Sequence, residues 1–372
     1  MRPSCSTYSW HLRASLAIFL IAAPALSMGS NAKKAIKEMP AKEGRPTTKT
    51  GIAGPMYASR PEVIAAADAI AERNGISADW VGQVVGQARF IPAVARAVAP
   101  APIGMPKNWA VYRSRFIDPV RTAAGVKFWQ THREALSRAQ RIFGVPAEIV
   151  VGIIGVETIY GQQTGNFRVI DALTTLAFDF PQSHPRAKER SAYFMSELEA
   201  FLLLTQSTGT DPMALRGSYA GAMGLPQFMP SSWRKYAIDF DGDDRIDLFN
   251  NATDVIGSVA NYFRAFGWQK ELPTHFAVQF NPAKLDMAGL MAPDILPTFT
   301  PAAMVEKGVE LDAMAQLHPG LLALVELQNG AAAPQYVAGT TNFYTITRYN
   351  WSSYYAMAVI ELGQDIAAAI PK

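Results

Sequence analysis

The chain has 372 residues, 49% hydrophobic and 17% charged, with a net charge of +3. That length supports two or three domains and a sizeable core, and the apolar content excludes a wholly disordered chain. The near balance of charge excludes a strongly basic nucleic-acid binder, so no nucleic-acid partner is expected. One cysteine, Cys5, excludes a disulfide scaffold and a cysteine-ligated zinc site, and five histidines argue against a histidine-rich metal centre.

The first segment reads as an address. Arg2 and Arg13 supply positive charge, and Ala14 to Leu26 is a nearly all-apolar run of thirteen residues, short of the ~20 that span a bilayer. Ala25-Leu26-Ser27 offers a cleavage site, which predicts a secretory signal peptide over residues 1–27 rather than an uncleaved anchor. Cleavage would remove two arginines and the cysteine, suiting an oxidising compartment such as the periplasm. No cysteine stands at the cleavage region to carry a lipid anchor. Residues 28–58, rich in Lys, Pro, Gly and Thr, read as a flexible tether.

From Pro61 the apolar spacing turns helical, with stretches at 62–67 and 78–85. A loop is expected over 100–106, a short aromatic stretch over 109–116 and one helix over 122–143. Residues 146–160 carry apolar residues on every face, which marks a buried helix, with Pro146 at its first position and Gly161 as its stop. Further helices are predicted over 188–205 and 253–266, with a Gly/Ala-rich loop at 217–230 between them. Short strands are expected at 274–280, 321–327 and 335–337, then an extended, β-branched segment at 343–348 and an apolar helix at 354–369. The domain reading is a helical domain at 59–143, a core at 144–271, a small β-containing insertion at 272–340 and a return to the core at 341–372. The fold class is mainly α (α+β), with no transmembrane span in the mature chain.

Four groups of residues could carry chemistry. Glu157 sits near the C-terminal end of the buried helix, with Ile153, Ile154, Tyr160 and Gly161 as helical neighbours. Burial and the negative end of the helix dipole both disfavour its charged form, as a general acid near neutral pH requires. A core glutamate bonded to a distant donor such as Arg168 is the competing reading. The loop from Gly217 to Pro230 combines small residues with Ser218, Gln227 and Phe228, a mixture suited to an uncharged, hydroxyl-rich ligand such as a sugar. Asp239, Asp241, Asp243 and Asp247 lie at positions 1, 3, 5 and 9 of an EF-hand-like loop, with Arg245 offering a backbone carbonyl. Position 6 is Asp244 rather than Gly and position 12 is Asn250 rather than Glu, so Asp254 is the candidate late ligand in a loop spanning 239–254. Structural calcium is the expected cofactor, with no organic cofactor. Finally, residues 342–351 interleave aromatics and amides that can stack on sugar rings.

Together these segments resemble the membrane-bound lytic transglycosylase B family. Gly155-Val156-Glu157-Thr158-Ile159-Tyr160-Gly161 resembles its catalytic-helix motif. Gly221-Ala222-Met223-Gly224 with Gln227-Phe228-Met229-Pro230-Ser231-Ser232 resembles its substrate loop. Ile256-Gly257-Ser258-Val259-Ala260-Asn261-Tyr262-Phe263 and Asn342-Phe343-Tyr344-Thr345-Ile346-Thr347-Arg348-Tyr349-Asn350 complete the set. The resemblance implies a lysozyme-like core and cleavage of the β-1,4 bond between N-acetylmuramic acid and N-acetylglucosamine in peptidoglycan, leaving 1,6-anhydromuramoyl ends. It makes Glu157 the sole acid/base and places Ser218, Gln227, Tyr262, Asn342, Tyr344 and Tyr349 along the saccharide cleft, with Tyr112 a weaker match. Leu225-Pro226 departs from the more polar pair of that loop, which leaves local subsite contacts open. Peptidoglycan strands are the expected partner, with cell-wall complex partners possible, and the chain is expected to act as a monomer. The competing functions are a hydrolytic muramidase, which needs a second carboxylate, and a non-catalytic glycan-binding scaffold.

Overall fold

The computed structural model describes residues 53–99 and 107–370. The signal peptide, most of the tether and the loop at 100–106 lie outside the described residues. The described chain is mainly helical and forms two compact units, each discontinuous in sequence. One takes residues 107–164 and 223–370, and the other 53–99 and 165–222. The linear domain boundaries therefore give way to a partition set by long-range packing. In the first unit Trp109 meets the ring of Tyr354 edge-on at 5.9 Å. A Cβ added at Gly125 would lie 2.3 Å from Ile366 Cδ1, so residues 107–143 pack with the C-terminal helix rather than forming a domain with 59–99.

Two helices organise the first unit, Ala147–Thr158 and Ser353–Ala369. Residues 149–156 are all buried, as the all-round apolar pattern requires. The two helices meet backbone to backbone. A Cβ at Gly152 would lie 2.3 Å from the Val359 carbonyl oxygen, and one at Gly363 would lie 2.2 Å from the Glu148 carbonyl oxygen. Only glycine permits that approach. Pro119–Thr131, Arg133–Phe143 and Ala252–Ala265 complete the surrounding helices. The single helix expected at 122–143 is broken at His132, where the Thr131 hydroxyl bonds back to the Lys127 carbonyl at 2.9 Å, a contact that competes with the helical ladder.

Residues 272–340 build an antiparallel sheet in which Ala332–Gly339 lies between His275–Ala277 and Ala323–Asn329. Its apolar face covers a core of its own that includes Leu290, Met304, Val309, Leu311, Leu322 and Leu324. The segment at 343–348, expected to be extended, is instead the helix Thr341–Thr347. The Thr340 hydroxyl accepts from the Asn342 N–H at 3.1 Å and caps it, and Phe343, Thr345, Ile346 and Thr347 are all buried. Capping and burial override the β preference of the side chains.

The second unit contains Pro61–Asn74, Ala78–Gly86, Val169–Phe178 and Ala187–Thr208. The tether ends earlier than expected. Gly54 and Tyr57 bond to the backbone of Phe90 and Ala88, and the buried Tyr57 hydroxyl donates to Asp179 at 2.5 Å. Among the described residues no single helix is long and apolar enough to cross a membrane.

Candidate active site and acidic loop

The helix bearing Glu157 begins one residue later than its apolar pattern suggested, with Pro146 as the residue before its first turn, and ends at Thr158, three residues before Gly161. Ile159, Tyr160 and Gly161 all take left-handed backbone conformations, with φ of 51°, 55° and 91°. For a β-branched residue such as Ile159 this costs ~1–3 kcal/mol, so the turn must be held from outside. Thr158 holds it: its hydroxyl donates to the Leu225 carbonyl at 2.8 Å and accepts from the Gly161 N–H at 3.1 Å. The glycine-rich turn is thereby tied to the end of the helix that bears Glu157. Met223 and Phe228 pair backbone to backbone across it, and Gln227, itself left-handed, donates its amide to the carbonyls of Gly224 and Thr164 at 2.9 and 3.1 Å. Among the described residues the Gln227 side-chain oxygen accepts no hydrogen bond.

Glu157 is half-buried and forms no ion pair among the described residues. Arg168, a conceivable partner in sequence terms, is committed to Asp171 at 2.7 Å. Burial pushes the Glu157 carboxyl from its ordinary 4.5 up to about 7, against one opposing influence, the Tyr355 hydroxyl that donates to its Oε1 at 2.6 Å. No second carboxylate acts on it among the described residues. A proton-bearing acid near neutral pH is the result.

Tyrosines surround this acid. Tyr349 stacks on Tyr355 with ring planes 13° apart, and its hydroxyl donates to the Pro226 carbonyl at 2.5 Å. Tyr262 lies 4.9 Å from Tyr349, donates to the Arg348 carbonyl at 2.7 Å and contacts the buried Phe228. The charge of Glu157 also raises the Tyr112 phenol, although its burial is the larger cause. Tyr344 is half-buried, edge-on to Trp351 at 5.7 Å. Two expected cleft residues are engaged by their own surroundings. Asn342 is buried, accepting from the Gln269 N–H and donating to the carbonyls of Gln269 and Leu272 at 2.8 Å each. It serves as a structural clamp, because a buried amide so engaged has little left to offer a sugar. Ser218 belongs to the other unit, where its hydroxyl accepts from the Ala222 N–H of its own turn at 3.1 Å.

The reading of residues missed Tyr355 and Thr158. The available signal was a tyrosine and a threonine inside apolar helical runs, where a buried hydroxyl must find a partner.

The acidic loop has an EF-hand-like backbone. Asp239 accepts from the N–H groups of Gly242, Asp243 and Asp244. Asp244 takes the left-handed turn, φ 65°, normally given to Gly. Asp239, Asp241 and Asp254 bring carboxylate oxygens within 4.8 Å of one another. Asp243 and Asp247, expected as ligands, stand outside this group: Asp243 accepts from the Arg245 N–H, and Asp247 from those of Phe249 and Asn250. Arg245 is exposed. Asp254 is fully buried, and burial together with the charges of Asp241 and Asp239 raises its carboxyl above its ordinary value. The three oxygens suit a hard cation that would offset this repulsion.

The transglycosylase SLT domain model matches residues 59–364. Membrane-bound lytic murein transglycosylase B of Escherichia coli strain K12 is 38% identical over 334 residues, covering 84% of each chain. The crystal structure of soluble lytic transglycosylase SltB1 from Pseudomonas aeruginosa is similar, with 39% identity, a TM-score of 0.75 and coverage of 83% of this chain and 99% of that one. The Escherichia coli lytic transglycosylase Slt35, solved in complex with calcium, is 38% identical with a TM-score of 0.72, covering 85% of this chain and 96% of that one. Identity of this level across most of each chain, together with a lysozyme-like helical core, leaves one conclusion: this chain belongs to the transglycosylase SLT domain family and is a lytic transglycosylase.

Proposed function

We propose that the enzyme cleaves the β-1,4 bond between N-acetylmuramic acid and N-acetylglucosamine in peptidoglycan with Glu157 as sole acid/base, leaving 1,6-anhydromuramoyl ends. The observation that carries this is one carboxyl, raised by burial to about 7 and bonded to the Tyr355 hydroxyl, with no second carboxylate acting on it among the described residues. Most glycosidases use two. With one, the substrate supplies the other nucleophiles. Glu157 gives its proton to the glycosidic oxygen as the C1–oxygen bond breaks, and the muramoyl 2-acetamido group stabilises the cationic centre. The Glu157 carboxylate then takes the proton of the C6 hydroxyl as that oxygen bonds to C1, so no water is consumed and the acid is regenerated. Gln227, Tyr112, Tyr262, Tyr344 and Tyr349, with Phe228 as their apolar backing, are assigned to the sugar-binding surface. The chain is taken to work in the periplasm on peptidoglycan strands. Product analysis on purified peptidoglycan tests the reading: anhydromuropeptides are expected, reducing ends would make the enzyme a hydrolytic muramidase, and no cleavage would make it a glycan-binding scaffold.

The acidic loop is assigned to structural calcium, held by Asp239, Asp241 and Asp254. Slt35 has been solved in complex with calcium, and the three oxygens here lie close enough to share one ion. Without a bidentate Glu, affinity in the ~10⁻⁴–10⁻³ M class is expected. In protein stripped with chelator, 10 mM calcium is then worth ~1.4–2.7 kcal/mol of stability. The melting temperature is expected to rise by several degrees with products unchanged, and magnesium is expected to do less. A melting curve unmoved by calcium would reduce the loop to a solvated acidic turn.

A further inference from the structure

Tyr355 takes one of the two carboxyl oxygens of Glu157. Its hydroxyl donates to Oε1 at 2.6 Å, and no described residue bonds to Oε2. The tyrosine has little freedom. It is fully buried, its ring lies parallel to Tyr349, and its helix is locked against that of Glu157 by the contacts at Gly152 and Gly363. By contrast, the terminal torsion of a glutamate is soft. An unconstrained Glu157 would present either oxygen to a ligand and carry its proton on either.

We propose that Tyr355 is a positioning residue for the reaction: by occupying Oε1 it confines the transferable proton of Glu157 to Oε2 and fixes which oxygen meets the glycosidic bond. This rests on the reading of Glu157 as the acid. The proton leaves Oε2 for the departing oxygen and the C6 hydroxyl proton returns to Oε2, while Tyr355 keeps its own proton throughout. Burial and the charge of Glu157 push the Tyr355 phenol well above its ordinary value, so it donates a hydrogen bond without ionising. The other groups facing Glu157 do not share this role. Tyr112, from the helix Trp109–Arg113, and Tyr349, from the turn after Thr341–Thr347, form no hydrogen bond to it among the described residues. Arg121, from Pro119–Thr131, donates to the Gly155 carbonyl at 3.2 Å and to the Asp118 carboxylate rather than to Glu157.

The test is Tyr355→Phe in the full chain, assayed on peptidoglycan across pH. A misaligned acid is expected to lower kcat by about 10–100-fold with KM little changed. Losing a donor to the charged carboxylate is expected to move the basic limb of the profile to higher pH. A second variant, 3,5-difluorotyrosine placed at 355, keeps the ring and strengthens the donor, so the limb is expected to move to lower pH. It decides alone if Tyr355→Phe does not fold. A change in KM alone, or a limb unmoved in both variants, would overturn the proposal. Activity retained by Glu157→Gln would instead overturn the reading of the acid itself, which separates the two failures.

Discussion

Glu157→Gln is expected to lower turnover by at least the ~10²–10⁴-fold typical of losing a general acid–base, because the amide keeps the shape and has no proton to give. Glycan binding is expected to survive. Release of anhydromuropeptides at near the parent rate would end the assignment. The pH dependence has a definite sign. With the carboxyl raised to about 7, the proton-bearing form is present below that pH and lost above it, so kcat/KM is expected to fall on the basic side with a midpoint near 7. The same shift acts on stability. A carboxyl whose folded value exceeds its unfolded one stabilises the fold below the unfolded value, and that contribution is lost as pH rises through the folded value. The window here runs from about 4.5 to about 7. The Gln variant does not ionise, so its melting temperature relative to the parent is expected to rise between pH 5 and pH 8. A difference that stays constant with pH would show that Glu157 carries its charge without penalty.

Gly152→Ala is expected to be strongly damaging to the helix pair. The added Cβ would fall 2.3 Å from the Val359 carbonyl oxygen and 3.1 Å from its carbon. That is backbone, not the end of a flexible side chain, so the helices must move apart. Overpacking of this kind costs ~1–3 kcal/mol or more, and each kcal/mol lowers the melting temperature by roughly 2–4 °C in a chain of this size class. Activity is expected to fall further than stability, because Glu157 and Tyr355 lie on the two separated helices. Gly82→Ala is the control. Gly82 is an exposed helical glycine with nothing within 4 Å of its added Cβ, where alanine is expected to be neutral or stabilising by up to about 1 kcal/mol. Equal melting temperatures for Gly152→Ala and the parent would show that the helix contact yields without cost.

The residues by themselves determined a good deal of this protein. A run that is apolar on every face can only be a buried helix, so 146–160 was legible, and with it the environment that raises Glu157. Alternating acids at 239–247 announced the turn, including the left-handed Asp244, because the spacing of the donors dictates the backbone. The resemblance carried by four ordered motifs led to the family that the comparisons show. Tertiary structure decided the rest. The segment at 343–348 has strand-like residues but became a helix, because a threonine cap and burial on all sides outweigh a preference of at most about 1 kcal/mol. Asn342 changed from candidate ligand contact to clamp, because its partners Gln269 and Leu272 lie some seventy residues away. Asp243 and Asp247 stand outside the group of three converging carboxylates, because the folded path of the loop, not the alternation of acids, decides which oxygens meet. Tyr355 entered the site across 198 positions of sequence, through a helix contact that two glycines allow. Local spacing reveals periodicity, burial and turns, since these depend on neighbours along the chain. Which distant hydroxyl meets which carboxyl depends on how closely two backbones approach, and that is fixed only when the helices pack.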